Sequence, residues 1–272
     1  MINKKSSKII SSIYLIAMLI FMYLPIVYMC VFSFNSSRSL TRWTGFSTQW
    51  YERLFSDYTI GEAVYYTVLV ALLATIFSTI IGTITAIGLS KSRYVIRELI
   101  TNINDLPMMN PDIVTAIGMM LLFASLGLEK GFMTMLIAHI TFCTPYVILN
   151  VMPKLRGLDP NIAEAAMDLG ATPFQALIQV IVPQIAPGIM SGALIAFTMS
   201  IDDFVISYFV TGNGVKNISI LVYSMSKRLN PTINALSTIM VAIVTIVLVL
   251  INVVPAINAK MKNKKISEEG NY

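Results

Sequence analysis

Long gaps between charged side chains constrain this chain more than any other feature. Lys8 to Arg38, Glu62 to Lys91, Lys130 to Lys154, Asp168 to Asp202 and Arg228 to Lys260 each enclose a run without Asp, Glu, Lys or Arg. A shorter run from Asp112 to Glu129 is extended backward by the neutral residues 106–110. A helix that crosses a bilayer needs roughly 20 mostly apolar residues, and these runs are that long. The chain is 56% hydrophobic and 12% charged, with a mean hydropathy of +0.74; soluble domains carry about 25% charged residues. The expected fold class is therefore an all-α integral membrane protein. Its six spans are expected at about 10–34, 64–90, 107–128, 131–153, 187–202 and 233–257, in one transmembrane domain over 1–272.

The first run follows Lys4, Lys5 and Lys8, as a signal peptide's apolar region would. It is too long for a cleavable segment and lacks a small-x-small cleavage site, so it reads as a retained first span. Basic residues orient the spans. With both termini cytoplasmic, twelve Lys and Arg lie in inside segments and seven in outside ones, although the outside loops are longer. The net charge of +5 thus fits a membrane face, with lipid as its surroundings and no nucleic acid. Cys30 and Cys143 fall inside spans and read as small buried hydrophobes.

Several chemistries lack their residues. No phosphate-binding G-x-x-x-x-G-K-[ST] loop, H-E-x-x-H or G-x-S-x-G occurs, and no Cys/His cluster has metal-ligand spacing. Neither a resident metal nor a cofactor nor catalysis by this chain is expected. The single histidine, His139, falls in span four. One His is thin material for a proton relay, and it reads better as a hydrogen-bonding link between helices.

The link between spans four and five, 154–186, differs from its surroundings. Asp159 and Pro160 can begin a helix as N-cap and first residue. Gly170 can end it in the left-handed C′ conformation. Thr172 and Pro173 repeat the start signal, and Pro183 and Pro187 are expected to break the second helix near the membrane. The result is a helix–turn–helix on the cytoplasmic side. Asn161, Glu164 and Asp168 form a polar stripe on its first helix, while Ile162, Ala165, Ala166 and Leu169 form an apolar one. Helices below about 12–15 residues are marginal alone in water, so something else must order this one. Lipid headgroups are one candidate. Docking into a cytoplasmic partner suits the acidic stripe better, because interfacial helices favour Lys and Arg there.

These residues reach a known pattern. Glu164-Ala165-Ala166, three residues, Gly170, nine residues, then Val180, one residue, Val182-Pro183 resembles the EAA signature of ABC importer permeases, with valine at two usually Ile or Leu positions. The likeness continues in NPDIVTAIG (110–118), HITFCTPYV (139–147), SIDDFVISYFVTG (200–212) and NALST (234–238), which resemble the spermidine/putrescine (PotC-type) permeases. The resemblance implies the type I importer, or MetI-like, permease fold in a bacterial inner membrane. It implies a second homologous permease, an ABC ATPase dimer, an extracytoplasmic polyamine-binding protein and a polyamine substrate. It assigns ATPase coupling to Glu164, Ala165, Ala166, Asp168, Gly170 and Pro183. Two rivals stay open: another cargo such as an aminophosphonate or metal ion, and a secondary transporter without an ATPase.

Polyamines are flexible multivalent cations, so their path calls for carboxylates and aromatic faces. Asp202 and Asp203, followed by Phe204 and Tyr208, supply both at the outer end of span five. The plainer reading is a pair of solvated or capping residues in an outer loop, and the sequence does not separate the two aspartates. Asn110, Pro111 and Asp112 read as N-cap, first and second residues of span three, with Asp112 capping rather than lining a cation exit. Trp43, Trp50 and Tyr51 in the first outer loop read as an interfacial belt, with a binding-protein contact as the alternative.

Overall fold

The computed structural model describes residues 4–249 except 40, 213, 227–230, 244, 247 and 248. Its regular elements are helices: α1 (Lys4–Phe32), α2 (Gln49–Ser56), α3 (Tyr58–Ser90), α4 (Tyr94–Met109), α5 (Asp112–Ser125), α6 (Phe132–Arg156), α7 (Ile162–Asp168), α8 (Pro173–Asp202), α9 (Val205–Val210), α10 (Ile218–Ser226) and α11 (Thr232–Ile243). Among the described residues four helices, α1, α3, α6 and α8, are long and apolar enough to cross a membrane; the bent pair α4–α5 makes a fifth if counted as one span. The run expected at 233–257 lies partly outside the described residues.

Two compact units divide the chain. One holds residues 1–58 and 224–272, the other 59–223. In the first, the segment after α1 is not an interfacial belt. Asn35 is buried at its centre, donating to the carbonyls of Ser39 and Arg42 (both 2.9 Å) and accepting from the Thr44 backbone (2.9 Å). Trp50 is 2% exposed and donates its indole N–H to the Asn35 carbonyl (2.6 Å). Tyr51 shares a hydrogen bond with Ser33. A tryptophan with its only donor satisfied inside the protein has no need of the headgroup layer. Trp43 alone stays half exposed.

In the second unit, α6 is the central strut. Its buried face, including Met135, His139, Cys143, Val147 and Val151, packs on α8. Glycine makes that approach possible. A Cβ on Gly192 would stand 3.1 Å from Val147 Cα, and one on Gly82 of α3 would stand 2.8 Å from Val147 Cβ. Small residues substitute for the hydrophobic drive that lipid cannot give. Gly192→Val is expected to lower stability by about 1–3 kcal/mol through overpacking, read as a drop in the thermal unfolding midpoint of the purified protein in detergent.

Two expectations about helix ends need correction. The run 107–128 is not one helix: α4 and α5 meet at 106°. Pro111 drives the preceding Asn110 into extended backbone (ψ 146°), and Asn110 closes α4, one residue outside the N-cap position of α5. Pro111 takes the N-cap position instead, without a side-chain bond, and Asp112 becomes the first residue of α5. Conversely, Pro183 and Pro187 do not break the second hairpin helix, which runs unbroken from Pro173 to Asp202 as α8. A π-helical stretch, Ala176–Ile181, precedes Pro183 and leaves it in the first turn of the α-helical part, where its missing N–H is tolerated.

Candidate functional site

The two chain breaks in the second unit, between α4 and α5 and between α8 and α9, meet at one cavity. It has a volume of about 360 Å³, and its walls include Asp112, Phe142, Met199, Asp202, Asp203 and Phe204. Three carboxylates and no Lys or Arg line it. Irregular backbone inside a membrane protein is tolerated where it is buried in protein or lines a cavity, and broken helices are a recurrent way to build transport sites. Asp112 therefore shares a wall with the aspartate pair, which its expected capping role did not foresee.

The structure separates the two aspartates. Asp203 is not an outer-loop residue. Its carboxylate accepts from the backbone N–H of Ile206 (3.1 Å) and Ser207 (2.7 Å) and from the Ser207 hydroxyl (2.7 Å), which caps α9. Its side chain is 8% exposed and stands 3.4 Å from His139 Nε2. His139, fully buried, links α6 to Ser200 of α8 through Nδ1 (2.7 Å) and to Ser207 of α9 through Nε2 (2.9 Å). Asn217 closes the network by donating to the Asp203 carbonyl (3.0 Å) and to Ser207 Oγ (2.9 Å). The histidine is an interhelical link, as its type and position suggested.

Asp202 is different. It is exposed, ends α8, and has no hydrogen-bond or ion-pair partner among the described residues. A carboxylate at a helix C-terminus is opposed by the macrodipole, so the fold gains nothing from it there. Beside it, Phe204, Tyr208 and Tyr223 form a ring cluster with centroids 4.9–5.6 Å apart. Tyr223 was not expected, because nothing in its local sequence signals that α10 returns to the α8–α9 break. Carboxylates beside aromatic faces can hold an extended organic cation through charge and cation–π contact.

The hairpin has its own geometry. α7 begins at Ile162, later than the Asp159–Pro160 start signal suggests, because Asp159 Oδ1 takes the Asn161 N–H (2.9 Å) in a turn outside the helix. Gly170 adopts φ +92°; its N–H bonds the Met167 carbonyl (2.9 Å) and the Ala171 N–H bonds Ala166 (3.1 Å). These two bonds make a Schellman close. Thr172 and Gln175 form a reciprocal capping box at the start of α8. What orders α7 lies within the chain: it packs on the π-helical stretch, and Ala163, Leu158 and Leu177 contact the core. The expected apolar face is thereby split. Ile162 and Ala166 are half-buried, whereas Ala165 and Leu169 are exposed. Leu169 is 91% and Phe174 70% exposed on either side of Gly170, and Glu164 and Asp168 also face out.

Comparison with known proteins decides the family. Residues 78–267 match the binding-protein-dependent transport system inner membrane component. This chain belongs to that family. Among similar proteins is the spermidine/putrescine transport system permease protein PotC of Escherichia coli (strain K12). It is 38% identical over 231 residues, covering 85% of this chain and 88% of that protein. The putrescine transport system permease protein PotI of the same strain is 40% identical over 235 residues, covering 84% of each. Among solved structures, this inner membrane component is similar to a bacterial ABC transporter involved in import of the acidic polysaccharide alginate. The TM-score is 0.72 at 18% identity, over 94% of this chain and 98% of the other. It also matches the MetNI methionine ABC transporter in inward-facing form, with a TM-score of 0.55 at 19% identity, over 70% of this chain and 93% of that one. These likenesses show the fold: all-helical, MetI-like, and that of ABC transporter membrane subunits.

Proposed function

We propose that this chain is the permease subunit of an ATP-driven importer of polyamines, spermidine or putrescine, with the cavity at the two helix breaks on the cation's path. The observation that carries the reading is the gathering of Asp112, Asp202 and Asp203 beside Phe204. The similar proteins named as spermidine/putrescine and putrescine permeases support the same cargo. The chain forms half of a translocation pathway in a bacterial inner membrane, with six spans and both termini cytoplasmic. It pairs with a second permease, an ABC ATPase dimer that hydrolyses ATP, and an extracytoplasmic binding protein.

In this mechanism the protein offers positioned charge and performs no covalent chemistry. An ammonium group that leaves water loses its hydration, and Asp202 and Asp112, each without a hydrogen-bond or ion-pair partner among the described residues, replace it. Asp203 is already engaged by α9 and His139 and holds the break in shape. Glu164, Ala165, Ala166, Asp168 and Gly170 make the ATPase contact, with Pro183 behind them at the start of the α-helical part of α8. Closure of the ATPase dimer pushes α7, and α7 moves α8 because the two are packed together.

Asp202→Asn is expected to reduce labelled spermidine uptake about tenfold, the worth of one charged hydrogen bond at about 1.5 kcal/mol, with the complex still assembling. Uptake equal to wild type in that variant would remove Asp202 from the path. Competition of spermidine uptake by unlabelled putrescine tests the cargo itself.

A further inference from the structure

The cleft beside α4 is used by none of this. Val95, Leu99, Ile103 and Leu106 form an exposed apolar stripe along α4, at the spacing of one helix face. On its other side Arg97, Glu98, Thr101 and Asn102 join Tyr94 and Arg156 of α6 around a cleft of about 440 Å³. An adjoining cleft of about 420 Å³ shares Arg97 and Arg156, adds Lys91, and reaches Asp159, Pro160 and Ile162 at the foot of the hairpin. Neither guanidinium has an ion pair among the described residues. Glu98 and Asp159 leave the combined lining with a surplus of positive charge.

We propose that this cleft binds the phosphate of an anionic lipid headgroup. Two guanidinium forks that face one cavity repel each other, and a single phosphate can accept from both at once. The exposed aliphatic stripe on the far side of α4 suits contact with acyl chains while the cleft side holds the phosphate. Basic pockets between helices are a recognised form of headgroup site. A headgroup held by Arg156 and Arg97 would also brace Asp159 and Pro160 against the end of α6. The bound lipid would then stiffen the joint between the hairpin and the membrane helices and raise coupled ATP hydrolysis.

The test uses the purified complex of this chain with its partner permease and ATPase, in vesicles of phosphatidylcholine or of an equimolar phosphatidylcholine–phosphatidylglycerol mixture. Lipid retained by the complex is read by native mass spectrometry, and ATP hydrolysis is read with binding protein and substrate present. Wild type is expected to retain phosphatidylglycerol and to hydrolyse ATP faster in the mixture. Each of Arg97→Gln and Arg156→Gln is expected to weaken retention about fivefold, and the double variant about 25-fold. The double variant should lose the stimulation while matching wild type in phosphatidylcholine alone. Equal retention of phosphatidylglycerol by the double variant overturns the proposal. So does full stimulation of wild type in phosphatidylcholine by added inorganic phosphate, which would make the ligand soluble. Loss of the ATPase from the double variant in both vesicle types also overturns it, by assigning the cleft to protein docking.

Discussion

A His139→Leu substitution is expected to destabilise the membrane unit by about 1–3 kcal/mol, because it removes a buried hydrogen-bonding link and takes the Ser200 hydroxyl's partner away. Leucine fills similar space but makes no hydrogen bond. Ser200 and Ser207 would lose the partners that hold them at 2.7 and 2.9 Å, and Asp203 would lose the imidazole 3.4 Å away. That loss is a large fraction of the 5–15 kcal/mol typical of native proteins. Thermal unfolding in detergent and recovery of the assembled complex measure it. His139→Gln, which can still hydrogen-bond, is expected to restore much of the stability. Equal behaviour of the Leu and Gln variants would mean that packing, not the polar network, joins α6 to the α8–α9 break. Asp203→Asn belongs to the same group. It should lower stability as well as uptake, whereas Asp202→Asn should lower uptake alone.

The second large effect is expected at the hairpin. Leu169 and Phe174 stand in solvent on either side of the Gly170 turn, at 91% and 70% exposure. Large apolar side chains left exposed on a short charged hairpin suit burial in a partner's pocket, where truncating a central anchor costs about 2 kcal/mol or more, roughly 30-fold in affinity. Leu169→Asp removes the anchor and adds charge without touching the core. It is expected to release the ATPase during purification and to reduce ATP-driven uptake by more than about 30-fold, with the thermal midpoint of the isolated permease unchanged. Gly170→Asp should act in the same direction, since φ +92° is strained for any side chain and the new carboxylate opposes the helix dipole. Retention of the ATPase by Leu169→Asp would remove Leu169 from the joint, and uptake that survives loss of the ATPase would favour a transporter that works without one.

Different kinds of information lay behind the readings that agreed with the structure and those that did not. Helical class, the apolar runs near α1, α3, α6 and α8, the Gly170 turn and the Thr172 cap all depend on residues within a few positions of each other. Local sterics and hydrophobicity suffice for these, so the sequence by itself determined them, together with the EAA spacing that led to the family. The errors came where distant segments decide. Asp203 looked like a surface carboxylate until α6 brought His139 against it. Asp112 looked like a simple cap until the Pro111 break placed it on the same cavity as Asp202. Leu169 looked like part of a buried face until α7, held by Ala163 and Leu177, turned it outward. Trp50 looked like a membrane anchor until the Asn35 carbonyl took its N–H. In each case a side chain's role was set by a partner far along the chain, and only the tertiary structure decides which partner that is.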